Sequence, residues 1–143
     1  MELRAKFFEE LTTVELYELL KARAEIFVVE QNCVYQDLDD IDYRSLHVFY
    51  EEEGSVRACL RAFEKEEGVV KIGRVLTREH GIGLGGKLLR EGLEQVREKF
   101  APKKIEVGAQ SYAAGFYARE GFRVCSEEYM EDGIPHVRME LLV

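Results

Sequence analysis

The chain has 143 residues, 46% hydrophobic and 34% charged, the profile of one soluble globular domain long enough to bury a core, not of a fibrous or disordered segment. A formal charge of −8 repels a phosphate backbone, so no nucleic-acid partner is expected. No apolar run reaches the roughly 20 residues that cross a bilayer, and the first residues lack the apolar stretch of a signal peptide, so the sequence reads as cytoplasmic with no membrane partner.

Leu3 to Phe8 reads as a short strand. Thr12 and Glu15 have capping-box spacing, and Leu16, Leu19, Leu20, Arg23 and Phe27 follow at helical intervals, which predicts a helix to about Val29. The polar run QNCVYQDLDDIDYR then reads as a long loop or a broken helix. LHVFYEEE and VRACLRAFEK, on either side of Gly54-Ser55, predict antiparallel strands, and Val69 to Leu76 a third. Leu84, Leu88, Leu89, Leu93, Val96 and Phe100 make one apolar helix face before Pro102. IEVGA is a buried-type strand, Ser111 is expected to cap a short helix through Glu120, and Gly121 suits its C-terminal cap. FRVCSEEYM and HVRMELLV flank Asp132-Gly133, a hairpin turn. The order β-α-β-β-β-α-β-α-β-β describes a single mixed α/β domain (α+β mixed sheet) over residues 1–143.

The three cysteines, Cys33, Cys59 and Cys125, are odd in number and widely spaced, so they read as free thiols rather than a disulfide framework or a zinc site. No metal is expected. As a calcium loop the acidic run fails, because Asp42 stands where glycine belongs and Val48 where the last Glu belongs. Charge is uneven: Lys71, Arg74, Arg78, Lys87 and Arg90 oppose only Glu79, whereas from Glu30 to Glu53 eight acids oppose only Arg44. Either both are solvated surface, or one region receives an anion and the other a cation.

The segment HGIGLGGKLL places four glycines just before a helical pattern. Gly81, Gly83 and Gly86 satisfy the dinucleotide fingerprint, but Thr77 to His80 separate them from the preceding strand and the remaining chain supplies no further βαβ units. Gly81 to Lys87 satisfies the P-loop spacing, but Leu88 stands where the magnesium ligand should be. What survives is shared physics: amides in a glycine turn and at a helix N-terminus favour an anion such as a pyrophosphate, reinforced by Lys87 and Arg90.

His80-Gly81-Ile82-Gly83-Leu84-Gly85 resembles the acetyl-CoA-binding signature of the GNAT (GCN5-related) superfamily of N-acetyltransferases, and AQSYAAGFYAREGF resembles that family's later segment, with Gln110 in the Asn place and Tyr117, Gly121 and Phe122 matching. FVVEQNCVYQDLDDID and EDGIPH resemble the ElaA-like subgroup. The resemblance implies the GNAT acyl-CoA N-acyltransferase fold and transfer of the acetyl group of acetyl-CoA to a primary amine by direct attack. It places acetyl-CoA against Arg74, Val75, His80, Gly81, Ile82, Gly83, Leu84, Gly85, Gly86, Lys87 and Gln110, with backbone N–H near Arg74 and Val75 at the splayed end of the fourth strand for the thioester oxygen. Tyr117 is the implied proton donor to the leaving thiolate. The ammonium must lose a proton, for which Glu30 is the leading candidate and His47 and His136 are rivals. Asp37, Asp39 and Asp42, with His47 and His136, are candidate acceptor-binding residues, and the acidic excess favours a small cationic amine as the partner. The resemblance is compatible with a homodimer.

Two alternatives stand beside this. Arg23, Phe27, Asp39, Asp42 and Arg61 loosely resemble the acyl-homoserine lactone synthases, and a CoA-binding module that does not turn over would keep the same glycine loop.

Overall fold

The computed structural model describes residues 1–32, 35–79 and 81–143. The helices and strands are α1 (Thr13–Arg23), α2 (Leu84–Phe100), α3 (Ala114–Ala118), β1 (Glu2–Phe7), β2 (Leu46–Glu52), β3 (Ser55–Glu66), β4 (Val69–Thr77), β5 (Lys104–Gln110), β6 (Arg123–Val124), β7 (Tyr129–Glu131) and β8 (Ile134–Leu142). All eight strands form one sheet in the order β1-β2-β3-β4-β5-β8-β6, with β7 also on β8. Among the described residues only β4 and β5 run parallel; α2 is the crossover between them.

Local signals set most element boundaries. The Thr12 hydroxyl accepts from the Glu15 amide at 3.0 Å while the Glu15 carboxylate accepts from the Thr12 amide at 2.9 Å, so the capping box starts α1. Helical structure passes Arg23, but over Ala24–Glu30 it widens into a π-helical stretch. Asp132 and Gly133 both take positive φ, 51° and 76°, as a two-residue hairpin between β7 and β8 requires.

The sheet is buried on both faces by alternation. Val48 pairs with Leu60, and both face α2 through Leu84 and Leu88; the neighbouring pair Phe49 and Cys59 faces α1 through Leu19 and Ala22. Leu89, Leu93 and Val96 continue the α2 face over Val70, Ile72, Ile105 and Val107. Contact is closest at Gly92, where a Cβ would lie 2.9 Å from a Leu60 methyl.

Two expectations fail here. FRVCSEEYM is not one strand: Arg123–Val124 and Tyr129–Glu131 pair separately with β8, and the Ser126 hydroxyl between them accepts from the Arg138 amide at 2.8 Å. Ser111 does not cap α3 with its side chain, because its hydroxyl donates to Glu128 at 2.8 Å and a 3₁₀ turn over Ser111–Ala113 precedes the helix. In both places a contact with a neighbouring segment outcompetes the local preference.

Candidate active site

The site begins with a fault in β4. Cys59 opposes Leu76 and Arg61 opposes Gly73, so Leu60 faces two residues, Arg74 and Val75. This is a β-bulge, and Arg74 takes φ 51° in it. Parallel pairing with β5 covers only Val69–Ile72 against Lys104–Val107. Beyond that the strands part, and a cavity of about 410 Å³ opens between them. Gly73, Arg74 and Val75 form one wall, Gly108 and Gln110 the other, and Tyr117 also lines it.

The helix that follows β4 starts from the glycine turn. Gly83 is the N-cap of α2 at φ 75°, Gly81 has φ 81°, and the first intrahelical bond to Gly83 is donated by the Lys87 amide at 3.2 Å. The amides of Leu84, Gly85 and Gly86 therefore precede the first bonded turn and have no partner within the helix. No acid occupies that turn. A Cβ built on Gly81, Gly83 or Gly86 would meet nothing within 4 Å, whereas one on Gly85 would touch Phe116 at 3.4 Å and Thr77 at 3.5 Å. Gly85 thus serves packing, and the other three leave backbone open to a ligand; Ile82 beside them is 59% exposed. Lys87 lies with its ammonium 5.3 Å from the Tyr50 ring centre. The residues present fit an anionic group such as a pyrophosphate. His80 lies outside the described residues.

Tyr117 is buried, edge-on to Phe116 and Phe122 with ring centres at 5.0 and 5.8 Å. Burial pushes its phenol well above the usual range, so it stays protonated near neutrality. Its hydroxyl has no hydrogen-bond partner among the described residues.

The acidic run is organised by arginines from three other elements. Asp37 accepts from Arg23 Nε at 3.0 Å, from Arg74 Nε at 2.8 Å and from the Tyr35 hydroxyl at 2.6 Å, and its carbonyl accepts from both Nη2 atoms. Asp42 takes Arg23 Nη1 at 2.7 Å and Arg61 Nη1 at 3.0 Å, and Asp39 takes Arg61 through both oxygens at 2.8 and 2.6 Å. Three aspartates answer three arginines. The side-chain hydrogen bonds from Arg61 hold the Asp39 carboxyl down to about 2, with burial acting the other way. Asp42 is also lowered, since Arg23 and Arg61 outweigh its burial.

That pairing corrects the picture of the run as an open receptor for a cation. Asp37 and Asp42 do not line the cavity, and Asp39 reaches it already bonded to Arg61. His47 is no candidate base at the cavity: it is 3% exposed and donates from Nε2 to the Asp42 carbonyl at 3.0 Å, and burial lowers its pKa. Glu30, at the end of the π-helical stretch, is exposed and absent from the cavity lining. The residues singled out for the lactone-synthase resemblance, Arg23, Asp39, Asp42 and Arg61, do meet, but paired with one another in this cluster.

His136 does face the cavity. Its Nδ1–H donates to the Ile134 carbonyl at 2.7 Å, and Nε2 lies 3.4 Å from a Glu131 carboxylate oxygen. Tyr129 stacks on the ring at 5.9 Å. Gln110 donates to Gln31 Oε1 at 3.4 Å across the cavity mouth. Gln31, Tyr35, Lys71, Tyr112 and Glu131 line the site without having been expected there; only EDGIPH pointed near Glu131.

Among the described residues no group of three or more His, Cys, Asp or Glu is arranged to hold a metal ion, and no helix is long and apolar enough to cross a membrane. Burial pushes the Cys59 thiol up to about 12, and Cys125 is also unbridged. Cys33 lies outside the described residues.

The family model described as "Acetyltransferase (GNAT) domain" matches residues 13–143. A UPF0039 protein of Schizosaccharomyces pombe is 38% identical over 145 residues, spanning 99% of this chain and 97% of that one. Protein ElaA of Escherichia coli is 37% identical over 136 residues, 91% of this chain and 89% of its own; its crystal structure superimposes with a TM-score of 0.93 over 99% of each chain at 34% identity. The crystal structure of an acyl-CoA N-acyltransferase from Pseudomonas aeruginosa gives 0.93 over 99% of each chain at 35% identity.

Proposed function

The chain belongs to the GNAT acetyltransferase family, and from that premise we propose that it transfers the acetyl group of acetyl-CoA to a primary amine of a small molecule by direct attack. The observation that carries this reading is the bulge at Arg74 with the parting of β4 from β5, which opens a cavity beside Tyr117 in the strand that leads to the glycine turn of α2.

The free amides of Leu84, Gly85 and Gly86, with Lys87 and Arg90, hold the pyrophosphate. Gln110 and the walls of the parted strands position the thioester arm. Backbone N–H groups at Arg74 and Val75 receive the charge that develops on the thioester oxygen. Tyr117, kept protonated by its burial, gives its proton to the departing sulfur. His136 replaces Glu30 as the group that takes the proton from the incoming ammonium: its ring lines the cavity, and Glu131, 3.4 Å from Nε2, stabilises the imidazolium so formed.

The test is release of CoA thiol and formation of an acetylated product when acetyl-CoA is mixed with a panel of primary amines. Amine-dependent release supports the reading. Binding of acetyl-CoA without release by any amine would leave a CoA-binding module, and turnover confined to an acyl-loaded carrier protein with S-adenosylmethionine would move the chain to lactone synthesis.

A further inference from the structure

Next to the cavity beside Tyr117 lies a second recess of about 260 Å³, and the two share Lys71, Val107 and Gly108 as lining. The join runs along the sheet face opposite α2. On this face β8 presents His136 and, two residues on, Arg138; in the register with β5 these stand against Gln110 and Gly108. Gly73 and Gly108 bring no side chain of their own to this face, and neither takes a positive φ, so their conformations do not require glycine. A Cβ on Gly108 would lie 3.0 Å from the Tyr129 hydroxyl, which sits over the junction.

The second recess is cationic in a protein of net charge −8. Lys65, Lys71 and Arg138 line it against one acid, Glu106. Glu106 is already committed, with Lys65 at 3.1 Å on one oxygen and Lys104 at 3.2 Å on the other. Lys71 makes no hydrogen bond or ion pair among the described residues, and Arg138 has the Cys125 sulfur beside it and makes no ion pair among the described residues, although the charges of Glu106 and Glu140 act on it. The first cavity, by contrast, ends at Glu131 and His136. The two neighbouring recesses together offer a proton-accepting end that suits an ammonium and a basic end about 7 Å further along β8, at two strand residues.

Resting on the acetyl-transfer reading, we propose that the acceptor is a primary amine that also bears an anionic group, a carboxylate or a phosphate, and that Lys71 and Arg138 hold that group while the amine lies at His136. The Tyr129 hydroxyl, over the junction, is a neutral donor on the same path. The expected acceptor is thus zwitterionic, and its cationic end meets Glu131 rather than the aspartate run.

The experiment measures acetyl transfer to an ω-amino acid series from β-alanine upward and to phosphoethanolamine, against ethanolamine, propylamine and a diamine. The anionic acceptors should exceed propylamine in kcat/KM by about two- to fivefold, the equivalent of one solvent-exposed charge contact, mainly through KM. The carboxylate and phosphate arms decide which anion fits better. Arg138→Glu should reverse the preference toward the diamine, and Lys71→Met should bring the ratio of anionic to neutral kcat/KM toward one. A ratio near one in the unaltered protein, or one that both variants leave unchanged, overturns the proposal while acetyl transfer stands. Calorimetry with phosphoethanolamine separates the two readings: binding that Arg138→Glu abolishes supports the anion subsite even where no amine is acetylated, and no binding in that circumstance overturns it.

Discussion

Arg74 and Asp37, 37 residues apart in sequence, meet side chain to side chain at 2.8 Å. Arg74 is the bulge residue of β4, and Asp37 belongs to the acidic loop, so the contact ties the loop to the wall of the cavity. Arg23 from α1 holds the opposite oxygen of the same carboxylate at 3.0 Å. The loop is thereby locked to two elements of the fold at one point.

Asp37→Asn should expose that lock. Donors approach both carboxylate oxygens, Arg23 Nε at one and Arg74 Nε with the Tyr35 hydroxyl at the other, and an amide offers only one acceptor. We expect a loss of about 1–3 kcal/mol in urea unfolding, because a charge-assisted bond is removed while Arg23 keeps Asp42 and Arg74 keeps Asp39. A loss below the measurement error would mean that the loop is held by other contacts.

The same network sets an acid limit. Asp39 has its pKa lowered in the folded state to about 2 by Arg61, with Arg74 adding to it. A depressed carboxyl contributes stability that is fully present above its unfolded value of about 4 and lost as pH falls through the folded value. Melting temperature should therefore drop between about pH 4 and pH 2, and Asp39→Asn should flatten that part of the curve. A parallel decline in both proteins would place the acid sensitivity elsewhere.

Tyr117→Phe removes a hydroxyl that has no partner among the described residues and leaves the ring packing with Phe116 and Phe122 intact. Stability should change by less than about 1 kcal/mol, acetyl-CoA binding should persist, and kcat should fall by about 10²–10⁴-fold if the phenol supplies the proton. Full turnover would make Tyr117 a core aromatic and nothing more.

Gly86→Leu isolates the ligand role of the glycine turn. Gly86 lies in the first turn of α2 without a positive φ, and a Cβ there meets nothing within 4 Å. The free protein should gain up to about 1 kcal/mol from the loss of glycine in a helix. The rise in melting temperature that acetyl-CoA produces by mass action should disappear. Gly83→Val also blocks the turn, but valine at φ 75° adds strain of its own. An undiminished rise with Gly86→Leu would place the ligand elsewhere.

Wherever the controlling interaction lies within a few residues, the sequence alone determined the outcome. Thr12 and Glu15 announce α1 because each satisfies the other's backbone amide; the apolar face of α2 is a 3.6-residue period; Asp132-Gly133 needs only the backbone freedom of its own two residues. The glycine turn before Leu84 belongs to the same class. The tertiary structure decided everything that required distant groups to meet. Whether Asp37, Asp39 and Asp42 are free or paired depends on arginines from α1, β3 and β4, between 14 and 37 residues away. Which histidine faces the cavity turns on strand order: both project from the sheet face opposite α2, but His136 stands on β8 beside the parted strands, whereas His47 on β2 lies beyond β3 and is sealed behind Asp42. The bulge at Arg74 is a mismatch of register between β3 and β4, a property of two strands together. Charge pairing and strand register are long-range quantities, and the same residues in the same order leave them open until the chain closes on itself.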